Sequence, residues 1–369
     1  MGFLSTRTYH FRNLADQEIP LDAKSICFLG RNGQGKTNCL EAVYLLCFGS
    51  SFRTRHEKIL IRHGMKEMSV TGMFNTGSEA DIAQQSVQIS IENGKKNIKL
   101  NSRKIQDRKE IINIMPCIVF AHEDIFFVNG APERKRLFIN QTMSLSDPLC
   151  IDVFRRYRQI LKSRNILLKE QKRDQIDVLT YQLAREGKYI CVERQKLIDE
   201  FNETFVPLYK TISGLQDDLS IKYRSSWKDF QSEEDIAGMM MEKVNRDLEY
   251  GTTTSGPHRD NLFFLQNGRD FAGIGSTGQI RLISLVLKTA QAVFFSKKTG
   301  KLPILLLDDV LLELDEKRRE IFFSCLPDYE QALFTFLNID DMQYINKNSR
   351  MVYFIEEGVV KPWKKQEIY

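Results

Sequence analysis

Paired cysteines are missing from this 369-residue chain. Its thiols (Cys27, Cys39, Cys47, Cys117, Cys150, Cys191 and Cys325) are odd in number, widely scattered and never spaced as CxxC. Several sit inside apolar runs, where a free thiol behaves as a small hydrophobe. A disulfide framework is therefore disfavoured and a reducing compartment expected. The five histidines (His10, His56, His63, His122 and His258) form no short cluster with those thiols, so no zinc-binding pattern arises. No apolar run approaches the roughly 18 residues of a membrane span. Arg7, His10 and Arg12 interrupt the stretch where a signal peptide would need its apolar core. The expectation is a soluble, cytoplasmic protein without a membrane partner. Internal repeats and low-complexity tracts are missing too, as is a strong charge of one sign. Lys and Arg number 53 against 48 Asp and Glu, a net charge of +5. That balance permits an anionic partner without demanding one.

The hydrophobic content of 42% can supply a real core, and the length suits two or three compact units. Ser25–Leu29 reads as a short apolar strand. Thr37–Phe48 places Leu40, Val43, Tyr44 and Cys47 at helical spacing, with Gly49 as a stop. Val87–Ile91 alternates like a half-buried strand and runs into Asn93-Gly94, a hairpin signal; Cys117–Phe120 is another buried strand. From Pro132 to Leu248 prolines are rare, charges dense and apolar residues helically spaced. Phe154, Tyr157, Leu161 and Leu168 share one face, and Leu183, Ile190, Leu197 and Phe201 another. The expectation is a helical arm folded back on itself, with limbs of about 40 residues reaching about 60 Å. After the glycine- and threonine-rich break Gly251–Pro257, β/α character returns. Leu262–Leu265 reads as a strand, Gln279–Phe295 as a long helix and Ile304–Leu307 as another strand.

Gly30-Arg31-Asn32-Gly33-Gln34-Gly35-Lys36-Thr37-Asn38 follows the first of these strands and opens the first helix. Gly-x-x-x-x-Gly-Lys-Thr in that context is a phosphate-binding loop. Its glycines let backbone N–H groups face phosphate oxygens, the helix N-terminus adds partial positive charge, and Lys36 reaches the β- and γ-phosphates. Thr37 is the candidate Mg²⁺ ligand. Ile304-Leu305-Leu306-Leu307 reads as a central strand buried on both faces, with Asp308 at its end as the second metal-side ligand. Asp309 could orient or deprotonate an attacking water. Lys36 and Asp308 lie 272 residues apart, so a large insert separates them. A small GTPase or nucleotide kinase has no such insert. Asn346-Lys347-Asn348-Ser349 lacks the aspartate that guanine recognition needs.

Gly275-Ser276-Thr277-Gly278-Gln279 opens the long helix, 32 residues ahead of Asp308 counting from Ser276. A Ser-x-Gly-Gln string at a helix N-terminus resembles the signature of ABC-type ATPases. Ser276 could equally cap its own helix. Glu313-Leu314-Asp315 resembles the D-loop of that class, and Phe11-Arg12-Asn13 the arginine-bearing first strand turn of its DNA-repair branch. With Ser51-Phe52-Arg53, Val128–Arg136, Arg164–Lys169, Gly256-Pro257-His258-Arg259-Asp260 and Leu306–Asp309, these pieces span nearly the whole chain. In this order they resemble the RecF family. The resemblance implies an α/β, ABC-ATPase-type P-loop head with an inserted, mainly helical second lobe. It also implies ATP and Mg²⁺ as cofactors, ATP-driven homodimerisation with Ser276, Gly278, Gln279 and Asp315 at the shared site, and Arg12 near nucleotide phosphate. Further implications are slow hydrolysis, DNA binding at gaps, and RecR and RecO as partners in loading RecA. The chain departs from the family pattern in places. Ala121-His122-Glu123-Asp124 stands where relatives carry Ser-Pro before the acidic pair, and no Q-loop glutamine is assignable. No histidine follows the Ala332–Phe336 strand, and Asp309 stands where most ABC ATPases use glutamate.

Lys95, Lys96, Lys99, Arg103, Lys104, Arg108 and Lys109 stand against the single acid Asp107 between positions 95 and 109. Ile98, Leu100 and Ile105 can anchor a hairpin beneath them. With Arg53, Arg55, Lys58 and Arg62 nearby, and Arg155, Arg156, Arg158, Lys162 and Arg164 on the arm, they form a candidate surface for sequence-neutral, salt-sensitive DNA binding. His258-Arg259-Asp260 is expected to be structural, because adjacent residues on an extended segment point to opposite faces. The expected organisation is a head of residues 1–131 and 249–369 with an arm of residues 132–248. The alternatives are a structural scaffold ATPase of the chromosome-structuring kind and a metabolic P-loop kinase.

Overall fold

The structure is a computed structural model and describes residues 2–76, 83–273, 275–310, 314–346 and 349–363. The chain opens with β1 (Phe3–Tyr9), β2 (Gln17–Pro20), β3 (Ser25–Leu29) and α1 (Lys36–Phe48). Next come β4 (Met68–Thr76), β5 (Ala83–Glu92), β6 (Lys95–Leu100), β7 (Arg103–Lys104), α2 (Lys109–Ile114) and β8 (Cys117–Phe120). A helical stretch follows with α3 (Ile125–Asn129), α4 (Pro132–Ser146), α5 (Leu149–Lys169) and α6 (Ile176–Ser213). After it come β9 (Leu219–Arg224), α7 (Glu233–Glu242), α8 (Val244–Tyr250), β10 (Asn261–Gln266), β11 (Arg269–Asp270) and α9 (Thr277–Thr299). The chain then runs through β12 (Ile304–Leu307), α10 (Glu316–Cys325), β13 (Gln331–Phe336), β14 (Arg350–Glu356) and β15 (Val359–Pro362).

Packing divides the chain into one unit of Met1–Glu123 with Phe295–Tyr369 and another of Asp124–Phe294. In the first unit a six-stranded antiparallel sheet has the order β2-β1-β4-β5-β6-β7, and a second sheet the order β15-β14-β3-β13-β12-β8. In the second sheet β14, β3, β13, β12 and β8 are mutually parallel, and β15 pairs antiparallel at its edge. Every residue of β3, β12 and β13 is buried, as continuous apolar runs in a parallel sheet require. Side chains of α1 (Leu40, Val43, Leu46) share one core with Phe3, Phe74 and Val87 of the antiparallel sheet and Ile26, Phe28 and Ile304 of the parallel one. Buried Gln331 links the two sheets: it accepts from the Phe3 N–H at 3.0 Å and donates to the carbonyls of Leu21 (2.6 Å) and Phe3 (3.0 Å). At the β5–β6 turn Asn93 and Gly94 both have positive φ, 51° and 72°, as the Asn-Gly signal anticipates.

The second unit carries the expected helical hairpin, α5 packing on α6, but its limbs are unequal at 21 and 38 residues. Tyr157, Leu168, Leu183, Ile190, Leu197 and Phe201 are all buried, and Phe154 and Leu161 pack against the core formed by Tyr157, Leu183 and Ile190. The region also holds a strand that its helical texture conceals. Leu219, Ile221 and Tyr223 of β9 are buried in alternation, and β9 pairs antiparallel with β10, register Leu219↔Gln266 to Arg224↔Asn261. Residues 249–294 pack with the second unit, through that pairing and through α9, where Gln291 Nε2 donates to Thr142 Oγ1 at 2.8 Å and Phe294 meets Phe201, whereas the expected arm ends at 248. No helix among the described residues is long and apolar enough to cross a membrane.

Candidate nucleotide site and nucleic-acid interface

The loop of residues 30–35 joins the buried end of β3 to the start of α1. A side chain at Gly30, where φ is 154°, would put its Cβ 2.5 Å from the Ile355 carbonyl oxygen. Only glycine lets the loop pass that strand. The far side of the loop is held by the β14–β15 turn: Glu357 N–H donates to Gln34 Oε1 at 2.6 Å and Gly358 N–H to the Gln34 carbonyl at 3.0 Å. Arg31, Asn32 and Gly33 remain exposed. Lys36 is buried; its Nζ donates to the carbonyls of Gly30 (2.8 Å) and Arg31 (3.3 Å) and lies 3.8 Å from Asp309 Oδ2. Burial depresses the Lys36 pKa, and the charges of Asp309 and Asp308 oppose that shift.

The parallel register sets Leu307 of β12 beside Phe334 of β13, so Asp308 emerges opposite Thr335. Thr37 Oγ1 donates to Asp308 Oδ1 at 2.8 Å. Thr335 Oγ1 lies 3.1 Å from Asp308 Oδ1 and from Asp309 Oδ1, and accepts the Asp309 N–H at 2.8 Å. Asp309 has φ 49°, uncommon for a non-glycine residue. Burial raises the Asp308 pKa; Asp309 adds to the rise, while Thr37, Thr335 and Arg53 oppose it. The structure thus brings together Lys36 and Thr37, which follow β3, and Asp308 and Asp309, which follow β12, across the end of the intervening strand β13. Sequence reasoning missed Thr335, whose signal is a hydroxyl in an all-buried strand.

Arg12 sits in a network beside the loop. Its Nε and Nη2 form a fork on the carboxylate of Glu41, at 2.9 and 2.7 Å, and Arg53 Nη1 reaches the same carboxylate at 3.4 Å. Ser51 Oγ also donates to Glu41. Arg53 Nη1 donates to Asn38 Oδ1 at 2.8 Å, Asn38 Nδ2 to Asn13 Oδ1 at 2.7 Å, and Asn13 Nδ2 to the Gly33 carbonyl at 3.3 Å. Arg53, expected on a DNA surface, thus belongs by its contacts to the loop network. Glu41 was not singled out in the sequence, and Asn13 only as the last residue of the Phe11-Arg12-Asn13 string.

Ser276 caps α9 within the second unit. Its Oγ accepts the Gln279 N–H at 3.3 Å while Gln279 Oε1 accepts the Ser276 N–H at 2.9 Å, a reciprocal box. Both residues are exposed, and a Cβ on Gly278 would meet no atom within 4 Å. The helix tip is therefore both a satisfied cap and an open, small-residue surface. Asp315 caps α10, accepting the Arg318 N–H at 2.9 Å. Glu313, Lys347 and Asn348 lie outside the described residues.

The basic run forms the β6–β7 edge of the antiparallel sheet. Lys95, Lys99, Arg103, Lys104 and Arg108 are exposed, while Ile98 and Ile105 are buried beneath them. Lys96 pairs with Glu57, Arg103 with Glu110 at 2.5 Å and Lys109 with Asp107 at 3.9 Å. Arg55 and Lys58 are exposed in the segment after α1, whereas Arg62 holds Asp16 at 2.6 Å. On the arm Arg155, Arg156, Arg158 and Lys162 are exposed. Arg164 corrects the expectation: it is fully buried, bonded to Asp247 (2.7 Å), Thr253 (2.7 Å) and Thr180 (3.0 Å), and offers nothing to an external ligand. The His258-Arg259-Asp260 residues separate only in part, since Arg259 Nε reaches the Thr253 carbonyl at 3.4 Å, the same carbonyl that His258 faces. His258 faces Tyr157 and the Thr253 carbonyl, while Asp260 accepts from Tyr223 Oη and from Ser226.

A family model described as the RecF/RecN/SMC N terminal domain matches residues 5–361. The DNA replication and repair protein RecF of Treponema pallidum (strain Nichols) is 40% identical over 350 residues, spanning 95% of this chain and 98% of that one. The chain belongs to the RecF family. A second RecF, from Leptospira interrogans (strain Fiocruz L1-130), is 31% identical over 360 residues, 96% of this chain and 98% of the relative. A solved RecF-ATP structure, described as a recombination mediator protein in the RecFOR pathway, superposes with TM-score 0.88 at 27% identity, covering 98% of this chain and 97% of that one. An Smc head bound to the C-winged helix domain of ScpA has TM-score 0.59 at 15% identity over 100% and 99% of the two chains, a likeness of fold. The fold class expected from the RecF-family motifs, an ABC-ATPase-type α/β head with a mainly helical insert, is the one observed.

Proposed function

We propose that the protein is an ATP-dependent DNA-binding protein of DNA replication and recombinational repair, acting in the cytoplasm. The observation that carries this reading is the convergence of Lys36, Thr37, Asp308 and Asp309 at one end of the parallel sheet. In this reading the loop amides and the α1 N-terminus receive the phosphates, and Lys36 exchanges its neutral carbonyl acceptors for anionic oxygens. The Thr37 hydroxyl and Asp308 carboxylate form an all-oxygen donor pair, which suits Mg²⁺. When bound, that ion neutralises charge on the β- and γ-phosphates. Asp309, tethered by Thr335, orients the attacking water. Ser276 and Gly278 of a second copy close the site over the γ-phosphate, so nucleotide joins two heads. The basic β6–β7 edge contacts DNA phosphates, and slow, DNA-stimulated hydrolysis then releases the clamp. RecR, RecO and the loading of RecA are the partners and setting proposed; the description of a solved relative as a recombination mediator in the RecFOR pathway supports this.

A chromosome-structuring scaffold is disfavoured by reach, since the 38 residues of α6 extend only about 57 Å. A metabolic kinase would turn over as a monomer and pass phosphate to an acceptor other than water. Sedimentation of the wild type and Ser276→Arg tests the reading. With ATP the wild type should double in mass and the variant should bind ATP yet stay monomeric. A variant that dimerises and hydrolyses normally would refute the shared site.

A further inference from the structure

Glu41 lies five residues past Lys36 on α1, and its side chain is fully buried. A carboxylate in such a place is costly unless matched by donors. Glu41 is over-matched: Arg12 forks onto it through Nε and Nη2, Arg53 Nη1 reaches it at 3.4 Å, and Ser51 Oγ donates as well. Two guanidiniums around one carboxylate leave a net positive charge beside the phosphate loop. Arg12 is held in the left-handed region at φ 52°, with its N–H on the Leu60 carbonyl at 2.9 Å, so its guanidinium is fixed from both ends. Arg53 continues through Asn38 and Asn13 to the Gly33 carbonyl of the loop itself.

We infer that Glu41 is a positioning residue of the nucleotide site, holding the Arg12 and Arg53 guanidiniums where a bound triphosphate meets them. The inference rests on the nucleotide-site reading above. The sign of the effect separates positioning from bare electrostatics. A carboxylate beside a phosphate loop repels a triphosphate, so removing its charge alone should tighten binding. If Glu41 works by placing the two arginines, removing the charge weakens binding instead.

The test uses the full chain and equilibrium binding of a fluorescent ATP analogue, alongside steady-state ATPase. Glu41→Gln should raise Kd and KM about tenfold, with the loss carried by KM rather than kcat. In an Arg12→Ala/Arg53→Ala background the same substitution should cause no further loss and, with only the charge effect left, should leave binding equal or slightly tighter, because the groups it places are gone. Tighter or unchanged binding in Glu41→Gln, or a full additional loss in that background, overturns the inference. Should Glu41→Gln fail to fold, Glu41→Asp keeps the charge and shortens the reach; the same weakening is expected, and unaltered affinity overturns it. A wild type that does not bind the analogue would instead bring down the nucleotide-site reading.

Discussion

Thr335 accepts the Asp309 N–H at 2.8 Å and lies 3.1 Å from a carboxylate oxygen of both Asp308 and Asp309. One hydroxyl proton cannot serve both acids at once, so the pair depends on Thr335 for its spacing. Thr335→Val removes the acceptor and leaves the Asp309 amide without it, at a cost of about 1–3 kcal/mol. A lowered thermal midpoint is expected, together with slowed hydrolysis and retained ATP binding; Thr335→Ser should restore both. His258 offers a second residue-level test. The Thr253 carbonyl can only accept, so Nε2 carries the ring proton and Nδ1 accepts from Tyr157 Oη at 2.7 Å. Burial lowers the His258 pKa from 6.5 to about 4. A histidine depressed in the folded state is protonated first in the unfolded chain, so its contribution is complete above pH 6.5 and lost as pH falls toward 4. Between about pH 7 and 5 the expected loss is about 2 kcal/mol. Thermal melts across that range should show it, and His258→Gln should flatten the dependence.

At the scale of elements, the β6–β7 edge is the part of the proposed DNA surface with the densest exposed charge. Replacing Lys99 and Lys104 by glutamate should weaken binding equally for unrelated sequences and reduce the slope of log affinity against log salt by about two. A wild-type affinity unchanged between about 50 and 200 mM salt would contradict a phosphate-reading surface. The elements that build the phosphate loop were legible because their signals are local: an apolar run, a glycine loop, then helical spacing stopped at Gly49. β9 was not, because its partner β10 lies far along the chain. Its clues were the glycine stop at 214 and the alternation of Leu219, Ile221 and Tyr223. Arg164 was misread for a related reason, since its partners Asp247 and Thr253 come from beyond the helical hairpin. Glu41 stood in plain sight as an acid among Leu40, Ala42 and Val43. Its donors, however, come from segments before and after α1, and nothing local predicts that they converge.

At the scale of the whole molecule, Lys36, Thr37 and both aspartates belong to one packed unit, while Ser276 opens α9 in the other. The proposal that nucleotide joins two copies assigns the Ser276 tip to a neighbour's phosphate site. Isologous pairing then supplies two equivalent sites per dimer. Mixing two disabled variants tests this most directly. Lys36→Arg spoils the loop and Ser276→Arg spoils the tip, so each alone should hydrolyse almost no ATP. A mixed dimer unites the intact loop of one chain with the intact tip of the other. ATPase activity should therefore reappear on mixing, at up to about a quarter of the wild-type level for random pairing into two-site dimers. A mixture no more active than its components, from variants shown to be folded, would mean that each chain completes its own site.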